Sequence, residues 1–313
     1  MTTHRTIFLI VIAALFCLPL RGFADATTSL SATAEKLYAS LNDEQKKKAT
    51  FPLDSSEQAK EVFTGGERGG VKIRTLKPDQ QKMAMDLLTA FTSDYGKQKA
   101  LAITEQKPQN PADDPGFGRY YVCFFGDVGP AKNYAWRIAE HHLTLVHVEM
   151  DKGKPTTFGP ILLGANPPVL WDEEEEKMIA LYGAMTPGER QKSMQAGKGI
   201  SSEAPKAGAN GIRVGDLNPS AKEAVKAVLE NRLKFFSDPI REEIRAILNS
   251  QGGLDAMSIS FYNGPAEKKC RDGGRWDFKL AGKSFLCDYE NTRAHIHLSM
   301  KGKLAADSPP AGR

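Results

Sequence analysis

The chain has 313 residues, with 42 basic and 38 acidic side chains and a formal charge of +4. A charge this close to balance gives no electrostatic case for a nucleic-acid partner or for attachment to a membrane surface. A chain of this length buries a large core, either as one domain or as two closely packed halves.

The N-terminus has the pattern of a secretory signal peptide. Arg5 supplies the positive charge, an apolar run covers residues 7–20, and small residues at Ala24 and Ala26 suit cleavage near either position. We therefore expect a signal peptide over residues 1–26 and an exported protein, periplasmic or extracellular. No stretch reaches about 18 consecutive apolar residues, so no integral membrane segment is expected.

Capping residues and prolines mark the starts of the predicted helices. Each pattern satisfies free amide groups or suits the fixed proline angle at a helix start. The predicted starts are Asn42 with Gln45, Lys77-Pro78, Thr186-Pro187, Asn218-Pro219 and Asp238-Pro239. The acidic run over 172–176 is also read as a helix start, because the helix dipole favours negative charge there.

Predicted strands come in two blocks, each after a pair of helices and each separated by short turns. Such spacing is typical of antiparallel hairpins. The first block covers 120–125, 134–138, 141–150 and 158–163, and the second covers 257–262, 276–280, 284–290 and 295–300. The fold class expected is α+β, with antiparallel sheet and packed helices.

The two blocks share local sequence features, which suggests an internal repeat. Phe124-Phe125-Gly126 is similar to Phe261-Tyr262-Asn263 at a separation of about half the chain. We therefore predict two pseudo-repeated helix-plus-meander halves within one domain. The expected ranges are 27–303 for the domain, 27–190 and 212–303 for the halves, 191–211 for a mobile connection and 304–313 for a disordered tail.

Three cysteines follow the expected signal peptide. Cys270 and Cys287 flank a predicted hairpin and are the natural pair if a disulfide forms in an oxidising compartment. Cys123 is expected to be a buried free thiol. The alternative is that all three remain unpaired.

Two histidines lie in the last predicted strand. Alternation places Arg293, His295, His297 and Ser299 on one face, while the other face is apolar and must meet the core. Two imidazoles at i and i+2 stand side by side, so they can converge on one metal ion. With Arg293 they can equally hold an anion.

A second group of histidines, His141, His142 and His147, falls in an earlier predicted strand with apolar residues on both faces. His141 and His142 point in opposite directions, so only one of them joins the other group unless the backbone bulges. The opposing interpretation is that these histidines only bridge neighbouring strands.

The chain resembles the bacterial DUF3500 family, a domain of unknown function. The resemblance is carried by Trp136-Arg137-Ile138, by His141-His142-Leu143-Thr144-Leu145, by the run from Gly159 to Pro167, and by His295-Ile296-His297. It implies that both histidine groups belong to motifs of the family, but it implies no activity, cofactor or substrate. The chain departs from the family pattern at Glu140, where a glycine is usual.

Three functions are consistent with these patterns. The first is an exported metal-binding protein that acts as a metal-dependent hydrolase on an unknown small molecule, with zinc the first candidate ion. The expected ligands are His295 and His297, joined by His141 or His142. Glu140 or Glu290 is the expected proton acceptor.

The second function is a non-catalytic module in which Arg293, His295 and His297 bind an anionic small molecule. The third is a structural or interaction protein whose histidines only connect strands. The first two require the distant histidines to meet in a cleft, whereas the third does not.

Overall fold

The structure is a computed structural model that describes residues 21–150, 157–196, 211–291 and 295–305. For residues 21–29 it describes the backbone alone. Its helices are α1 (Arg21–Ser40), α2 (Asp43–Ala49), α3 (Pro78–Phe91), α4 (Asp94–Thr104), α5 (Asp172–Ala184), α6 (Pro187–Ser193), α7 (Pro219–Leu233) and α8 (Asp238–Ser250). Its strands are β1 (Thr50–Phe51), β2 (Val71–Lys72), β3 (Tyr121–Gly126), β4 (Tyr134–Glu140), β5 (Leu143–Glu149), β6 (Thr157–Ala165), β7 (Met194–Gln195), β8 (Ile212–Arg213), β9 (Ser258–Tyr262), β10 (Asp277–Ala281), β11 (Phe285–Asn291) and β12 (Ile296–Lys303).

The predicted helix starts are confirmed, and the side chains of Asn42, Thr186 and Asn218 make the expected cap contacts. The side chain of Asn42 accepts the amide of Gln45 in a complete capping box, and Thr186 forms the same arrangement with Glu189. The acidic run opens α5, as expected. Local capping chemistry therefore decides where these helices begin.

The strands of the described chain form one mixed, open sheet, and ten of them follow the order β1-β3-β4-β5-β6-β12-β11-β10-β9-β7. The two others, β2 and β8, pair with β3 and β9 outside this order. The meanders β3–β6 and β9–β12 are antiparallel throughout, whereas the short strands β1 and β7 run parallel to β3 and β9. The two meanders join where β6 pairs with β12, so the sheet is continuous across the molecule. The α+β class is confirmed.

The predicted repeat is visible in the order of the elements. The order α1-α2-β1-β2-α3-α4-β3-β4-β5-β6 recurs as α5-α6-β7-β8-α7-α8-β9-β10-β11-β12. When each strand is replaced by its counterpart in the other half, the strand order of the sheet is the same read from the opposite edge. In this element order the first copy ends with β6 and the second begins with α5, and the predicted ranges for the two halves stay a prediction. Residues 197–210 of the predicted connection, 191–211, are outside the described residues.

The two faces of the sheet differ. One face packs on the helices and forms the main core, which includes Leu143 and Leu145 of β5 and Ile296 and Leu298 of β12. The opposite face carries a small apolar cluster around Val146 and is crossed by the β1–β2 connection, residues 52–70. The predicted alternation of β12 is confirmed, and its histidine lies on this second face.

Of the two alternatives for the cysteines, the structure shows the unpaired one. Cys123, Cys270 and Cys287 are all free and buried. The thiol of Cys270 donates to Asn291 Oδ1 at 3.2 Å instead. Burial raises the pKa of Cys123, Cys270 and Cys287 to about 11, which keeps these thiols protonated and unreactive near neutral pH.

Some expectations fall largely outside the described residues. This holds for most of the signal peptide, of which only 21–26 are described, within α1, and for the tail beyond residue 305. Among the described helices, none is both long and apolar enough to cross a membrane.

Candidate metal site

His142 lies in a two-residue turn that joins β4 to β5, and not inside a strand as the sequence suggested. Its φ angle is +65°, in the left-handed region that bulky residues rarely adopt. The amide of Gly164 donates to the carbonyl of His142 at 2.7 Å, and the amide of His142 donates to Val62 at 3.3 Å. Such a conformation in a well-anchored turn is a feature often found at functional sites.

A glycine in the strand between the two histidine groups lets them meet. β6 separates β5 from β12, and Gly164 of β6 is the register partner of His297. A Cβ atom on Gly164 would lie 2.5 Å from Cγ of His142. The imidazole of His142 therefore lies across β6 only because this position has no side chain.

Three imidazoles come together at this edge of the sheet: His142, His295 and His297. Their ligand nitrogens all lie within 4.8 Å of one another. A tetrahedral ion with bonds near 2.1 Å would bring such nitrogens to about 3.4 Å apart, which small side-chain rotations achieve. The group can therefore hold one metal ion.

The ring of His142 is held in one tautomer by Gln106. Gln106 Oε1 lies 3.1 Å from His142 Nδ1 and also accepts the amide of Asn166 at 3.0 Å. Because this oxygen is an acceptor, Nδ1 of His142 carries the proton and Nε2 keeps its lone pair. Nε2 is then the atom available to a metal ion.

Glu290 acts on His297 in the same way. Its Oε2 accepts from Nδ1 of His297 at 2.8 Å, while Nε2 of His297 is buried and has no hydrogen-bond partner among the described residues. A buried polar atom without a partner is costly and asks for an explanation. A carboxylate behind a histidine whose other nitrogen is free is the usual arrangement around a protein metal ion.

Burial favours the neutral form of His142 and of His295. Burial, followed by the charges of His141, His297 and His295, lowers the pKa of His142 to about 2. Burial and the charge of His297 also lower the pKa of His295. Neutral imidazoles are the form that binds metal ions.

His141 is beside the group but does not belong to the set of converging nitrogens. Its ring centroid is 3.8 Å from that of His142, and its carbonyl accepts the Tyr120 hydroxyl at 2.9 Å. Burial, then the charge of Arg119, lowers its pKa to about 4. Nδ1 of His141 is buried without a hydrogen-bond partner in the described chain.

Glu140 has both oxygens engaged. Oε2 accepts from Arg119 Nε at 3.1 Å in a fully buried ion pair, and Oε1 accepts from the amide of Gly66 at 3.1 Å. Arg119 also donates to the carbonyls of Thr104 and Gln106. Glu140 therefore anchors the loops beside the histidines, and its role as a proton acceptor stays a prediction.

The β1–β2 connection covers part of the site. The amide of Val62 donates to Thr144 Oγ1 at 3.0 Å, and the ring of Phe63 meets His297 edge-on at a centroid distance of 4.9 Å. His142 and His297 are buried, whereas His295 is partly exposed. The group is therefore recessed and opens towards solvent at His295.

The structure also separates some of the predicted residues. His147 lies on the helix-covered face, where its Nε2 is 3.3 Å from Glu243 of α8, and it takes no part in the group. Arg293 lies outside the described residues. The corresponding turn between β10 and β11 carries Gly282, Lys283 and Ser284, so it has no histidine in the place of His142.

Gln106 and Gly164 were missed by the sequence reasoning. Gln106 follows α4 in a polar stretch without periodicity, and nothing in that stretch indicates a contact with a distant histidine. Gly164 lies within the run from Gly159 to Pro167, but nothing in that run distinguished it from its neighbours. The role of Gly164 depends on the close approach of the His142 ring, and the sequence does not show that approach.

Fold and site together define an α+β protein in which two similar halves share one sheet and a candidate metal centre lies near their junction. The chain belongs to the DUF3500 family, described as "Protein of unknown function (DUF3500)", whose profile matches residues 24–303. Neither the curated proteins nor the solved structures include a match to this chain.

Proposed function

We propose that this chain is an exported protein that binds one divalent metal ion through His142, His295 and His297 and uses it to hydrolyse a small molecule. The observation that carries the proposal is the convergence of three ring nitrogens within 4.8 Å. The N-terminal sequence pattern supports export.

Zinc is the first candidate ion. Three neutral imidazoles are a common ligand set for catalytic zinc, which keeps a fourth position for water or substrate. A bound zinc ion supplies an activated water near neutral pH and polarises the oxygen of an ester, amide or phosphate group. Gln106 and Glu290 would fix the ligand rings, because each accepts the Nδ1 proton of one of them.

The contacts favour different roles for the remaining polar residues. Oε2 of Glu290 orients a ligand ring, and both oxygens of Glu140 accept hydrogen bonds that anchor the adjoining loops. His141 has a buried Nδ1 that lacks a partner in the described chain, beside the three ligands. We assign to His141 the hydrogen bond to the reacting water or to a substrate oxygen.

Metal analysis of tag-free mature protein tests the binding step. We expect close to one equivalent of zinc per chain after dialysis, and loss of this ion in His297→Ala. His147→Gln is the matched control, because it also removes a buried histidine of the same sheet but leaves the group intact. Failure of the wild-type protein to retain or take up zinc, copper or manganese would refute the proposal.

The hydrolytic step needs a separate assay. A panel of chromogenic esters, amides and phosphate esters is tested on zinc-loaded protein, on chelator-treated protein and on His297→Ala. Turnover that disappears with the ion and returns on its addition supports hydrolysis. Metal binding without turnover of any class would leave a metal-binding protein and remove the hydrolase.

A further inference from the structure

Two clefts lie along the β1–β2 connection. One has a volume of about 460 Å³ and lies under residues 57–69, and the other, of about 540 Å³, lies between this connection and α2. Glu67 and Arg68 line both clefts. Arg68 is half-buried and Glu67 is exposed, so the guanidinium is the charged group held at the junction.

Arg68 differs from the neighbouring cations in having no carboxylate partner among the described residues. Lys60 and Arg137 both pair with Glu57, and Lys72 pairs with Asp113. Within the described ranges, Arg68 forms no ion pair, and its Nε is buried without an acceptor. A partly buried charge without a counter-ion is unfavourable unless an anion occupies the site.

The backbone holds the Arg68 side chain in place. Its Nη2 donates to the carbonyl of Thr64, and Nη1 donates to the carbonyl of Glu67 at 3.4 Å. The loop is fixed in turn by two amides, because Gly65 donates to Gln109 Oε1 at 2.7 Å and Gly66 donates to Glu140 Oε1 at 3.1 Å. The guanidinium is therefore oriented before any ligand binds, which favours affinity.

The same loop connects the cleft to the histidines. Phe63 lines the smaller cleft and packs edge-on against the ring of His297. Glu140, which holds Gly66, directly precedes His141 in the chain. The smaller cleft therefore meets the histidine group through the side chain of Phe63, and Arg68 lies in the lining of the same cleft.

We infer that Arg68 binds the anionic end, a carboxylate or a phosphate, of the small molecule that reacts at the histidine group. A guanidinium offers two parallel donors that match either oxyanion, and such bonds are the strong ones among protein hydrogen bonds. That the molecule reacts there rests on the proposed function, whereas the recognition of its anionic end does not require a metal ion.

The test uses succinate and inorganic phosphate as separate probes, titrated into metal-free protein by calorimetry. We expect at least one probe to bind, about tenfold or more weaker binding in Arg68→Gln, and partial retention in Arg68→Lys, which keeps the charge but loses the paired donors. The probe that binds identifies the oxyanion. Arg74→Gln is the matched control, because Arg74 is a partly exposed guanidinium close by that already faces Asp113 and Asp114.

Two results overturn the inference: no binding of either probe to the wild-type protein, or equal weakening by Arg68→Gln and Arg74→Gln. Circular dichroism of each variant verifies the fold. The titration is done without metal, so its result does not depend on zinc binding. An absence of zinc binding would remove the proposed hydrolysis, but it would not affect the measured binding of succinate or phosphate at Arg68.

Discussion

Gly164→Ala is the most specific test of how the histidine group is built. The new methyl group would lie 2.5 Å from Cγ of His142, far inside van der Waals contact. The ring of His142 is buried and held by Gln106, and its backbone is held by Gly164 and Val62, so it has little room to move away. A single added methyl group should therefore displace a proposed metal ligand.

The expected cost follows from overpacking at a tight site. Adding a methyl group where nothing gives way costs about 1–3 kcal/mol of unfolding free energy. In a His142→Ala background the clashing ring is absent, and the same substitution should cost about 0.5 kcal/mol or less. The coupling between the two substitutions is then about 1–2 kcal/mol, a size typical of residues in contact.

Urea denaturation of the four metal-free proteins measures this coupling, and a zinc titration of the Gly164→Ala protein measures the effect on the site. We expect weakened zinc binding in the single variant. Gly183→Ala is the control, because Gly183 lies in α5 and an added Cβ there would meet nothing within 4 Å among the described residues, so alanine should be neutral or stabilising. Equal costs of Gly164→Ala in both backgrounds would refute the proposed contact.

Three further predictions concern the surrounding residues. Glu140→Gln should cost about 3 kcal/mol in urea denaturation because it leaves Arg119 as an unpaired buried charge, and a cost under about 1 kcal/mol would contradict the anchoring role. Glu290→Gln should weaken zinc binding about 10- to 100-fold by competition titration, since it disturbs the hydrogen bond that orients His297, and unchanged affinity would exclude that role. Burial lowers the pKa of His147, but the carboxylate of Glu243 in α8 outweighs this effect, so the net pKa of His147 is raised. The stabilisation that protonated His147 contributes is therefore complete below about pH 6.5 and is lost as the pH rises through the pKa of the folded state. The melting temperature of the wild-type protein should therefore fall more steeply above pH 6.5 than that of His147→Gln, and parallel curves would show that this histidine is not the cause.

Much of the fold was predictable because its signals are local. The caps at Asn42 and Thr186 and the prolines at α3 and α7 act on amide groups within one turn, so the sequence shows them directly. The alternation in β12 correctly placed Ile296 and Leu298 in the core and His297 on the other face. The short edge strands β1, β2, β7 and β8 were missed, because two residues carry no periodicity.

The sequence predicted which histidines could belong to the candidate site, but not which of them meet. The sequence named the two histidine groups but left open whether His141 or His142 joins His295 and His297. The choice depends on the left-handed backbone of His142 and on the absence of a side chain at Gly164. Neither property is visible in the spacing of the histidines.

By itself, the sequence determined the α+β class, the repeat of helices and meanders, and the residues able to bind a metal ion. These properties follow from hydrophobic alternation and from capping, which operate between near neighbours. The tertiary structure decided which imidazoles converge and which side chains orient them. It also decided that Arg68 lacks a carboxylate partner in the described chain. The contacts of Gln106 with His142 and of His142 with His297 join residues 36 and 155 positions apart, and only the packing of the complete sheet brings them together.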